Sequence, residues 1–377
     1  MHILYVLNSD KPGGMEKHVG DLVSGMTALS HKVTVVCPRS ELSDWFINLG
    51  ANVINLKVKS EVDFSYIRAL SQKIKAIKPD VIHAHELKAV SHSLITAFFC
   101  GLKIRITHTH TPISRWKIPL YKRIINIVAN SILVNLFATK EVALNSIVKL
   151  EKEHEGILSS KLLVLSNGID YEGLQISQED RNEYRFEVLE NLSIPKDSNV
   201  VGNISRLSAE KGHSVLLEAV AELKNRGKYV YCILAGGGVL HEELTELSKK
   251  LGIFEQVRIT GVFNDDEKVK YLSTFDVLVF PSLAEGFGYV PVESMAFGVP
   301  VLASNLPVLK EVCMENINYF KVGDSMSLAD SLEGMLARKD QVVMDAKNFV
   351  RNNYSLEVFW SKYNNLYTKL YESSVSK

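Results

Sequence analysis

Short apolar runs alternate along the chain with longer segments whose apolar residues recur every three or four positions. Runs of this length are typical of strands covered on both faces of a parallel sheet, and the longer segments predict amphipathic helices. The strands predicted in the first half are residues 2–7, 33–37, 80–84, 103–107, 131–134 and 161–165. Those predicted in the second half are residues 199–204, 229–234, 256–260, 276–280 and 299–303. The alternation predicts an α/β fold with parallel sheets.

A polar stretch from Asp170 to Ser198, rich in Glu, Arg and Asn, interrupts this rhythm. We interpret it as the connection between two Rossmann-like domains, which predicts a binding site in a cleft where the domains face each other. Residues 341–373 are helical in pattern and carry aromatic side chains at helical spacing. Packing is the simplest explanation of that aromatic stripe.

Composition narrows the class of protein. The 377 residues, 46% of them hydrophobic, can supply cores for two domains, and the balance of 43 basic and 43 acidic residues gives no indication of nucleic-acid binding. Four cysteines without a CxxC pattern indicate buried thiols. No apolar run approaches the roughly 18 residues of a membrane span, and the first strand begins without the basic start of a signal peptide. We therefore expect a cytoplasmic protein.

The segment PSLAEGFGYVPVESMAFGVPVLAS, residues 281–304, predicts a ligand site. Gly286 and Gly288 stand between a predicted strand and a predicted helix, where backbone amides and the helix dipole favour an anion such as phosphate. Glu285 and Glu293 could each accept hydrogen bonds from neighbouring hydroxyls, such as those of a sugar and a ribose. The alternative is structural: Glu293 would complement the helix dipole, and Glu285 would be solvated.

Two cations stand at another junction of strand and helix. Arg206 and Lys211, in the segment after the strand 199–204, suit a diphosphate whose negative charge grows as it leaves. The alternative is a solvated basic turn in which Lys211 pairs with Glu210 or Glu218.

Two glycine turns are less specific. Gly236–Gly238 follows an apolar strand but lacks the full spacing of a dinucleotide fingerprint, so packing explains it as well as ligand contact does. Gly13 and Gly14 follow the first strand and could present backbone amides to a substrate, or form a plain turn.

Four histidines mark the ends of two predicted strands of the first half: His83, His85, His108 and His110. No HExxH motif or carboxylate-bearing triad accompanies them, so we predict no metal site. Hydrogen bonding to a sugar hydroxyl is the favoured role, above all for His110, because threonines and a proline form the loop around it.

Cations and aromatic residues mix in the segment 114–125. This segment could rest on an anionic bilayer. An ordinary amphipathic helix, with Trp116 and Tyr121 in the core and its basic face in water, explains the pattern equally well.

Together these residues resemble glycosyltransferase family 4, whose members have the GT-B fold of two Rossmann-like domains facing across a cleft. The resemblance covers essentially the whole chain, and its most specific part is the E-x7-E pattern from Glu285 to Glu293 within EGFGYVPVESMAFGVPV. The supporting segments are SRLSAEKG at 205–212, SNGID at 166–170 and GGME at 13–16.

The resemblance implies the domain plan and the reaction. Residues 1–170 would form an acceptor-side domain, residues 171–345 a nucleotide-sugar-binding domain, and residues 346–377 a helical segment returning to the first domain. The enzyme would transfer a sugar, with retention of configuration, from a UDP- or GDP-sugar to a saccharide or lipid-linked acceptor. The expected setting is the synthesis of bacterial cell-surface polysaccharide or glycolipid, in the cytoplasm or at the inner face of the membrane.

The resemblance also implies residue roles. Arg206 and Lys211 would hold the diphosphate, Glu285 the transferred sugar and Glu293 the ribose. The remaining contacts would come from His110 near the reacting sugar, from Gly14 beside the diphosphate, and from the loop residues Gly286, Phe287 and Gly288.

No metal or other cofactor is implied, and Asp265–Asp266 is interpreted as a helix start instead of a metal-binding DxD motif. Many members have Gly-Asp-Gly where this chain has Gly237 between two glycines, so no acidic contact is expected there.

Two other functions are compatible with the pattern. A nucleotide-sugar epimerase or hydrolase of the same architecture would use the donor pocket without an acceptor. A two-domain sugar-binding protein would close on its ligand without chemistry.

Overall fold

The computed structural model describes residues 1–11, 13–264, 267–337 and 344–376. It forms two compact units: unit 1 comprises Met1–Gly168 with Leu356–Lys377, and unit 2 comprises Ile169–Ser355. The divisions thus fall after residues 168 and 355, whereas the sequence suggests 170 and 345. Asp265 and Asp266, for which a helix start is expected, lie outside the described residues.

Unit 1 is built on a seven-stranded parallel sheet in the order β3-β2-β1-β4-β5-β6-β7. Its strands are β1 (His2–Val6), β2 (Lys32–Cys37), β3 (Asn52–Asn55), β4 (Val81–His85), β5 (Ile104–His108), β6 (Lys140–Ala143) and β7 (Leu162–Val164). Its helices are α1 (Gly14–Ala28), α2 (Glu41–Asn48), α3 (Phe64–Ile77), α4 (Leu87–Phe99), α5 (Leu120–Phe137), α6 (Ser146–His154) and α15 (Leu356–Val375).

Unit 2 is built on a six-stranded parallel sheet in the order β10-β9-β8-β11-β12-β13. Its strands are β8 (Val200–Ile204), β9 (Tyr231–Ala235), β10 (Val257–Gly261), β11 (Val277–Phe280), β12 (Val301–Ser304) and β13 (Asn318–Phe320). Its helices are α7 (Gln178–Asn191), α8 (His213–Asn225), α9 (His241–Lys250), α10 (Lys268–Thr274), α11 (Tyr289–Phe297), α12 (Pro307–Cys313), α13 (Ser325–Leu336) and α14 (Met344–Tyr354).

In both sheets the second and third strands lie on one side of the first strand, and the later strands lie on its other side. This reversal of strand order makes each unit a doubly wound Rossmann-like fold and confirms the predicted α/β class. The reversal lies between β1 and β4 in unit 1 and between β8 and β11 in unit 2. In such sheets ligands bind outside the carboxyl ends of the strands at this point.

One predicted strand is wrong, and three strands were not predicted. Residues 131–134 belong to α5, because the apolar run is one stretch of an 18-residue helix. The unpredicted strands are β3, β6 and β13, which have three or four residues each and carry polar side chains, so they lack a continuous apolar run.

The helix α15 returns to unit 1 and packs against α1, as expected. Phe359, Tyr363 and Tyr367 are buried in the core of the unit, and the indole nitrogen of Trp360 donates a hydrogen bond to the Asp21 carbonyl at 2.7 Å. The aromatic stripe is therefore packing. The preceding helix α14 instead packs on α11, which places residues 346–355 in unit 2.

A buried ion pair fixes the ends of β5 and β6. Lys152 of α6 pairs with Glu141 of β6, and both side chains are almost fully buried. The Glu141 carboxylate also accepts hydrogen bonds from the hydroxyls of Thr107 and, at 2.7 Å, Thr109. Burial raises the pKa of Glu141, but Lys152 and the threonine hydroxyls outweigh it, so the pKa lies below its usual value. The network holds the segment that leads to His110.

Candidate functional site

The predicted donor residues of unit 2 lie on two loops at the reversal point of its sheet. The loop 205–212 follows β8, and the loop 281–288 follows the neighbouring strand β11. The two backbones touch: Leu283 N donates to the Glu210 carbonyl at 2.8 Å. At Gly212, where φ is +65°, an added Cβ would lie 2.1 Å from the Pro281 carbonyl oxygen. Glycine at 212 therefore permits the contact between the loops.

Lys211 and Glu285 meet across this contact. The Lys211 ammonium lies 2.7 Å from Glu285 Oε2, and both side chains are largely buried, with 21% and 16% exposed. Glu285 Oε1 accepts the Gly286 amide at 3.0 Å. The expected alternative, a solvated turn with Lys211 paired to Glu210 or Glu218, is wrong, because the loop contact brings Glu285 closer. A partly buried, charge-assisted pair is thus fixed at the carboxyl end of the sheet.

Arg206 lies in solvent beside this pair. Its side chain is 74% exposed, and its guanidinium donates to Glu210 Oε1 at 3.1 Å. The same oxygen accepts the Ser208 hydroxyl at 2.6 Å. Hydrogen bonds from the Ser208 hydroxyl, from the backbone amide of Glu210 and from Arg206 lower the pKa of the Glu210 carboxylate to about 2. The side chain of Arg206 is therefore positioned near the loop but not packed into it.

The second glutamate of the pattern lies on α11. Glu293 is buried, and its Oε1 accepts from the Lys268 ammonium of α10 at 3.0 Å. Within the described part of the chain, its Oε2 is buried and has no hydrogen-bond partner. That oxygen remains able to accept a hydrogen bond from a ligand hydroxyl.

The turn between the glutamates leaves its backbone accessible. Gly288 caps α11 with φ +90°, a conformation that disfavours other residues, and an added Cβ there would lie 2.6 Å from Leu309 Cδ2. An added Cβ on Gly286 would meet no atom within 4 Å. The Phe287 ring is buried in the core, so Phe287 can offer a ligand only its backbone.

The glycine turn 236–238 packs against the first loop. Its Gly237 carbonyl accepts from the Leu207 amide at 2.9 Å, and the Ala235 carbonyl accepts from the Ser205 amide at 3.1 Å. This arrangement supports the packing explanation of the turn.

In unit 1, the predicted histidines gather at the ends of β4 and β5. His85 and His108 are partners in the strand register. The rings of His108 and His110 stack with centroids 3.9 Å apart, and His85 Nδ1 lies 3.2 Å from His110 Nε2. The centroid of the His83 ring lies 4.3 Å from that of the His85 ring, but His83 Nδ1 is hydrogen bonded to the Tyr367 hydroxyl at 2.9 Å.

A fifth histidine, which the sequence did not single out, joins this group from α1. The His18 ring stands edge-on to those of His108 and His110, with centroid distances of 4.8 and 4.9 Å. Burial lowers the pKa of His18 to about 4 and holds the pKa values of His85, His108 and His110 well below 6.5. The four rings are therefore neutral at pH 7. Only the position of His18 on a buried helix face could have indicated its role.

A cavity of about 540 Å³ adjoins His110. Its lining includes Glu86, Lys88, Thr109, His110 and Trp116. Glu86 has a positive φ of 62°, and burial, with the nearby charge of Glu16, raises its pKa to about 7. Sequence reasoning missed Glu86, although it directly follows the HAH segment that ends β4. Trp116 is half-buried and Tyr121 exposed, so the expected core position is wrong for Tyr121.

Gly14, the other predicted donor contact, is the first residue of α1. An added Cβ on Gly14 would meet no atom within 4 Å, so the start of the helix is open to a ligand.

Two doubly wound units, of which unit 2 holds an acidic and a basic side chain at its reversal point, define a protein of the GT-B fold class. The solved structure of Anabaena Alr3699/HepE in complex with UDP is similar over 98% of this chain and 100% of that chain, with a TM-score of 0.86 and 21% identity. A glycosyltransferase from Rickettsia africae is similar over 98% of each chain, with a TM-score of 0.85 and 20% identity.

Sequence comparison gives the family. Residues 12–172 match "Glycosyltransferase Family 4" and residues 185–355 match "Glycosyl transferases group 1", and the chain belongs to glycosyltransferase family 4. An uncharacterized glycosyltransferase of Methanocaldococcus jannaschii is 25% identical over 91% of each chain. The capsular polysaccharide biosynthesis glycosyltransferase CapM of Staphylococcus aureus is 24% identical over 87% of each. The protein is thus a glycosyltransferase. In the described residues, no helix has the length and apolar character needed to cross a bilayer.

Proposed function

We propose that this glycosyltransferase transfers a sugar, with retention of configuration, from a UDP- or GDP-sugar to a hydroxyl of a saccharide or lipid-linked acceptor. The observation that carries the proposal is the Lys211–Glu285 pair, held where two loops meet at the reversal point of unit 2. Anabaena HepE, which has the same fold, was solved with UDP and with UDP-glucose. Retention itself rests on membership of the family.

The donor would be held by complementary groups of unit 2. The Lys211 ammonium and the amides at the start of α11 attract the diphosphate, whose negative charge increases as the bond to the sugar stretches. Glu285, oriented by Lys211 and the Gly286 amide, accepts hydrogen bonds from the transferred sugar. The free Oε2 of Glu293 accepts from a ribose hydroxyl. Arg206 can turn from Glu210 towards the diphosphate because its side chain is exposed.

These charges stabilise a leaving diphosphate without a metal ion at the diphosphate. Because the interactions strengthen as negative charge develops, they lower the transition state more than the ground state. On this proposal, unit 1 binds the acceptor, with His110 and Glu86 lining its cavity. The predicted proximity of His110 to the reacting sugar, and of Gly14 to the diphosphate, belongs to the same proposal.

The experiment is a thermal-shift screen of UDP-, GDP- and ADP-sugars, followed by transfer assays with the donor that binds. We expect one donor to raise the melting temperature of the wild type, because it binds only the folded state. The shift should be lost in Glu293→Gln and Lys211→Gln and kept in Lys249→Gln, a control that breaks an exposed ion pair of unit 2. No shift with any donor would refute the proposal. Donor turnover that does not depend on an acceptor would favour a hydrolase or epimerase, and donor binding without turnover a binding protein.

We also propose that α5 rests on an anionic bilayer. Seven apolar residues along this helix are more than half exposed: Leu120, Tyr121, Ile124, Ile125, Val128, Ile132 and Leu136. They recur every three or four residues and so share one face of the helix. The exposed Lys117 and Lys122 lie at the N-terminal end of α5. An outward apolar face with basic neighbours fits the boundary of anionic lipid headgroups. A lipid-linked acceptor and a role in cell-surface polysaccharide or glycolipid synthesis accord with this surface.

Liposome co-sedimentation tests the membrane proposal. We expect binding to vesicles with anionic lipid, weaker binding to neutral vesicles, and loss of binding in the double variant Ile124→Ser, Val128→Ser. The control Phe99→Ser removes an exposed aromatic residue from α4 and should bind as the wild type does. Equal sedimentation of all three proteins would contradict the proposal.

A further inference from the structure

We propose that His18, His85, His108 and His110 of unit 1 form a binding site for one transition-metal ion of the zinc type. The proposal goes beyond the donor site, since its ligands are different residues and its tests measure metal binding, not catalysis. The sequence pattern predicts no metal site, and it could not indicate His18 as a ligand, because His18 comes from a helix distant in sequence from the two strand ends.

The geometry brings four ligand atoms together. One ring nitrogen from each of the four histidines lies within 4.8 Å of the others. Zinc binds imidazole nitrogen at about 2.0–2.1 Å, so in a tetrahedral site the nitrogens stand roughly 3.4 Å apart. The most widely separated ligand atoms therefore need to approach each other by about 1.4 Å to close the site.

Four ring nitrogens of this group lack hydrogen-bond partners, whereas His110 Nε2 contacts His85 Nδ1 within the group at 3.2 Å. In the part of the chain that the structure describes, His18 Nε2, His85 Nε2 and both ring nitrogens of His108 are buried without a hydrogen bond. Buried polar atoms are usually paired, because leaving them unpaired costs free energy. A metal ion would use these lone pairs. Without an ion, burying these unpaired ring nitrogens around one point costs free energy.

The surroundings hold the ligands as metal sites commonly do. His18 Nδ1 is hydrogen bonded to Asn167 Oδ1 at 2.8 Å, which leaves Nε2 of the same ring to carry the lone pair. His85 and His108 stand side by side on paired strands, and Phe359 of α15 packs 5.3 Å from the His18 ring. Asn167 is therefore a positioning residue for the site.

The chemistry of the set selects the metal. Four imidazoles without a carboxylate favour zinc, copper or nickel and disfavour magnesium and calcium, which prefer oxygen ligands. His110 also lines the cavity of about 540 Å³, so an ion can enter from that side. A metal-bound His110 would keep its ring fixed at the wall of that cavity.

The test is titration of the untagged, chelator-treated full-length protein with Zn²⁺ against a competing chelator, and with Co²⁺ followed by its absorption spectrum. We expect one ion per chain and a Co²⁺ spectrum of tetrahedral nitrogen ligation. His108→Ala should weaken binding more than 100-fold, and Asn167→Ala should weaken it about 10- to 100-fold, as the loss of a group that orients a ligand does.

The matched control is His92→Ala, which removes another buried histidine of unit 1 whose two ring nitrogens are already hydrogen bonded. It should bind metal as the wild type does. Circular dichroism confirms that each variant is folded, and His108→Gln replaces His108→Ala if that variant is not. Failure of the folded wild type to bind one ion, or equal binding by His108→Ala and His92→Ala, overturns the proposal.

Discussion

Glu285 and Lys211 are 74 positions apart, and their contact depends on the residue next to one of them. Gly212 permits the contact between the two loops, and this contact places the Lys211 ammonium beside the Glu285 carboxylate. The sequence could indicate each of the two residues, since glycines, acids and bases at strand ends are visible in it. It could not show the pairing, because that depends on which strands are neighbours.

Lys211→Gln and Arg206→Gln test the proposed grip on the diphosphate. We expect each to lower kcat by about 10²- to 10³-fold, comparable to the loss of one oxyanion-stabilising donor. Steady-state kinetics with the donor found by screening measures the effect. Because Arg206 is exposed, its replacement should change the free energy of unfolding by less than about 0.5 kcal/mol.

Lys249→Gln is the control for both, since its exposed pair with Glu246 lies on α9. An Arg206→Gln enzyme with kcat within a factor of three of the wild type would show that Arg206 does not hold the diphosphate.

His213, the first residue of α8, links folding to pH. It is buried, and its Nε2 is hydrogen bonded to the Ser205 hydroxyl at 2.9 Å. Burial and the charge of Lys211 lower its pKa to about 4. In the unfolded chain a histidine has a pKa of about 6.5, so unfolding takes up a proton between pH 6.5 and 4. The folded state therefore loses stability as pH falls through that range, and above pH 6.5 this loss vanishes.

Between pH 7 and pH 4, we expect the free energy of unfolding of the wild type to fall by about 3 kcal/mol relative to that of His213→Gln. Each unit of difference between the folded and unfolded pKa contributes about 1.4 kcal/mol. Urea unfolding of both proteins at several pH values measures it. A constant difference across that range would contradict the assigned pKa.

At the scale of elements, prediction succeeded where the hydrophobic pattern was long and failed where it was short. Strands with apolar runs, such as residues 3–6 of β1 and Val277–Phe280 of β11, were predicted to within a few residues. The pattern of α5 misled because its apolar residues face outward as well as inward, so 131–134 resembles a buried strand. The strand β6 was missed because it is only four residues long and two of them are charged, including the buried Glu141.

That charge makes β6 depend on its partner. Glu141→Gln leaves the Lys152 ammonium buried without its counter-charge, which costs about 3–5 kcal/mol. We expect unit 1 to lose that much free energy of unfolding, measured by urea denaturation. Glu246→Gln, which breaks an exposed pair, should change it by less than about 1 kcal/mol. Equal losses of unfolding free energy in the two variants would show that the buried pair stabilises the protein no more than an exposed pair does.

At the scale of the whole molecule, one plan is used twice. The order 3-2-1-4-5-6 runs through both sheets, and unit 1 adds a seventh strand. The sequence predicts two such folds because their strands and helices alternate in two series separated by a polar connection. The return of the C-terminal helix followed from the family resemblance, since an aromatic stripe indicates packing without indicating its partner.

Phe359→Ala tests that return. Phe359 is 2% exposed and packs in the core of unit 1, so its truncation should cost about 3–5 kcal/mol. Hydrogen exchange should speed up in peptides of unit 1 and stay unchanged in peptides of unit 2. Phe99→Ala, at a site 78% exposed, is the control and should leave both unchanged. Faster exchange confined to unit 2 would show that α15 does not pack in unit 1.

The membership of α15 in unit 1 also sets an order of events during synthesis. Unit 2 is one uninterrupted stretch, Ile169–Ser355, and can acquire its structure as soon as it leaves the ribosome. The first 168 residues emerge earlier, but the face of α1 that carries His18 and Gly25 is covered only when residues 356–375 have been made, because Phe359 and Trp360 of α15 pack there. The part of the protein made first is therefore completed last, and until then its uncovered apolar surface is a target for chaperones.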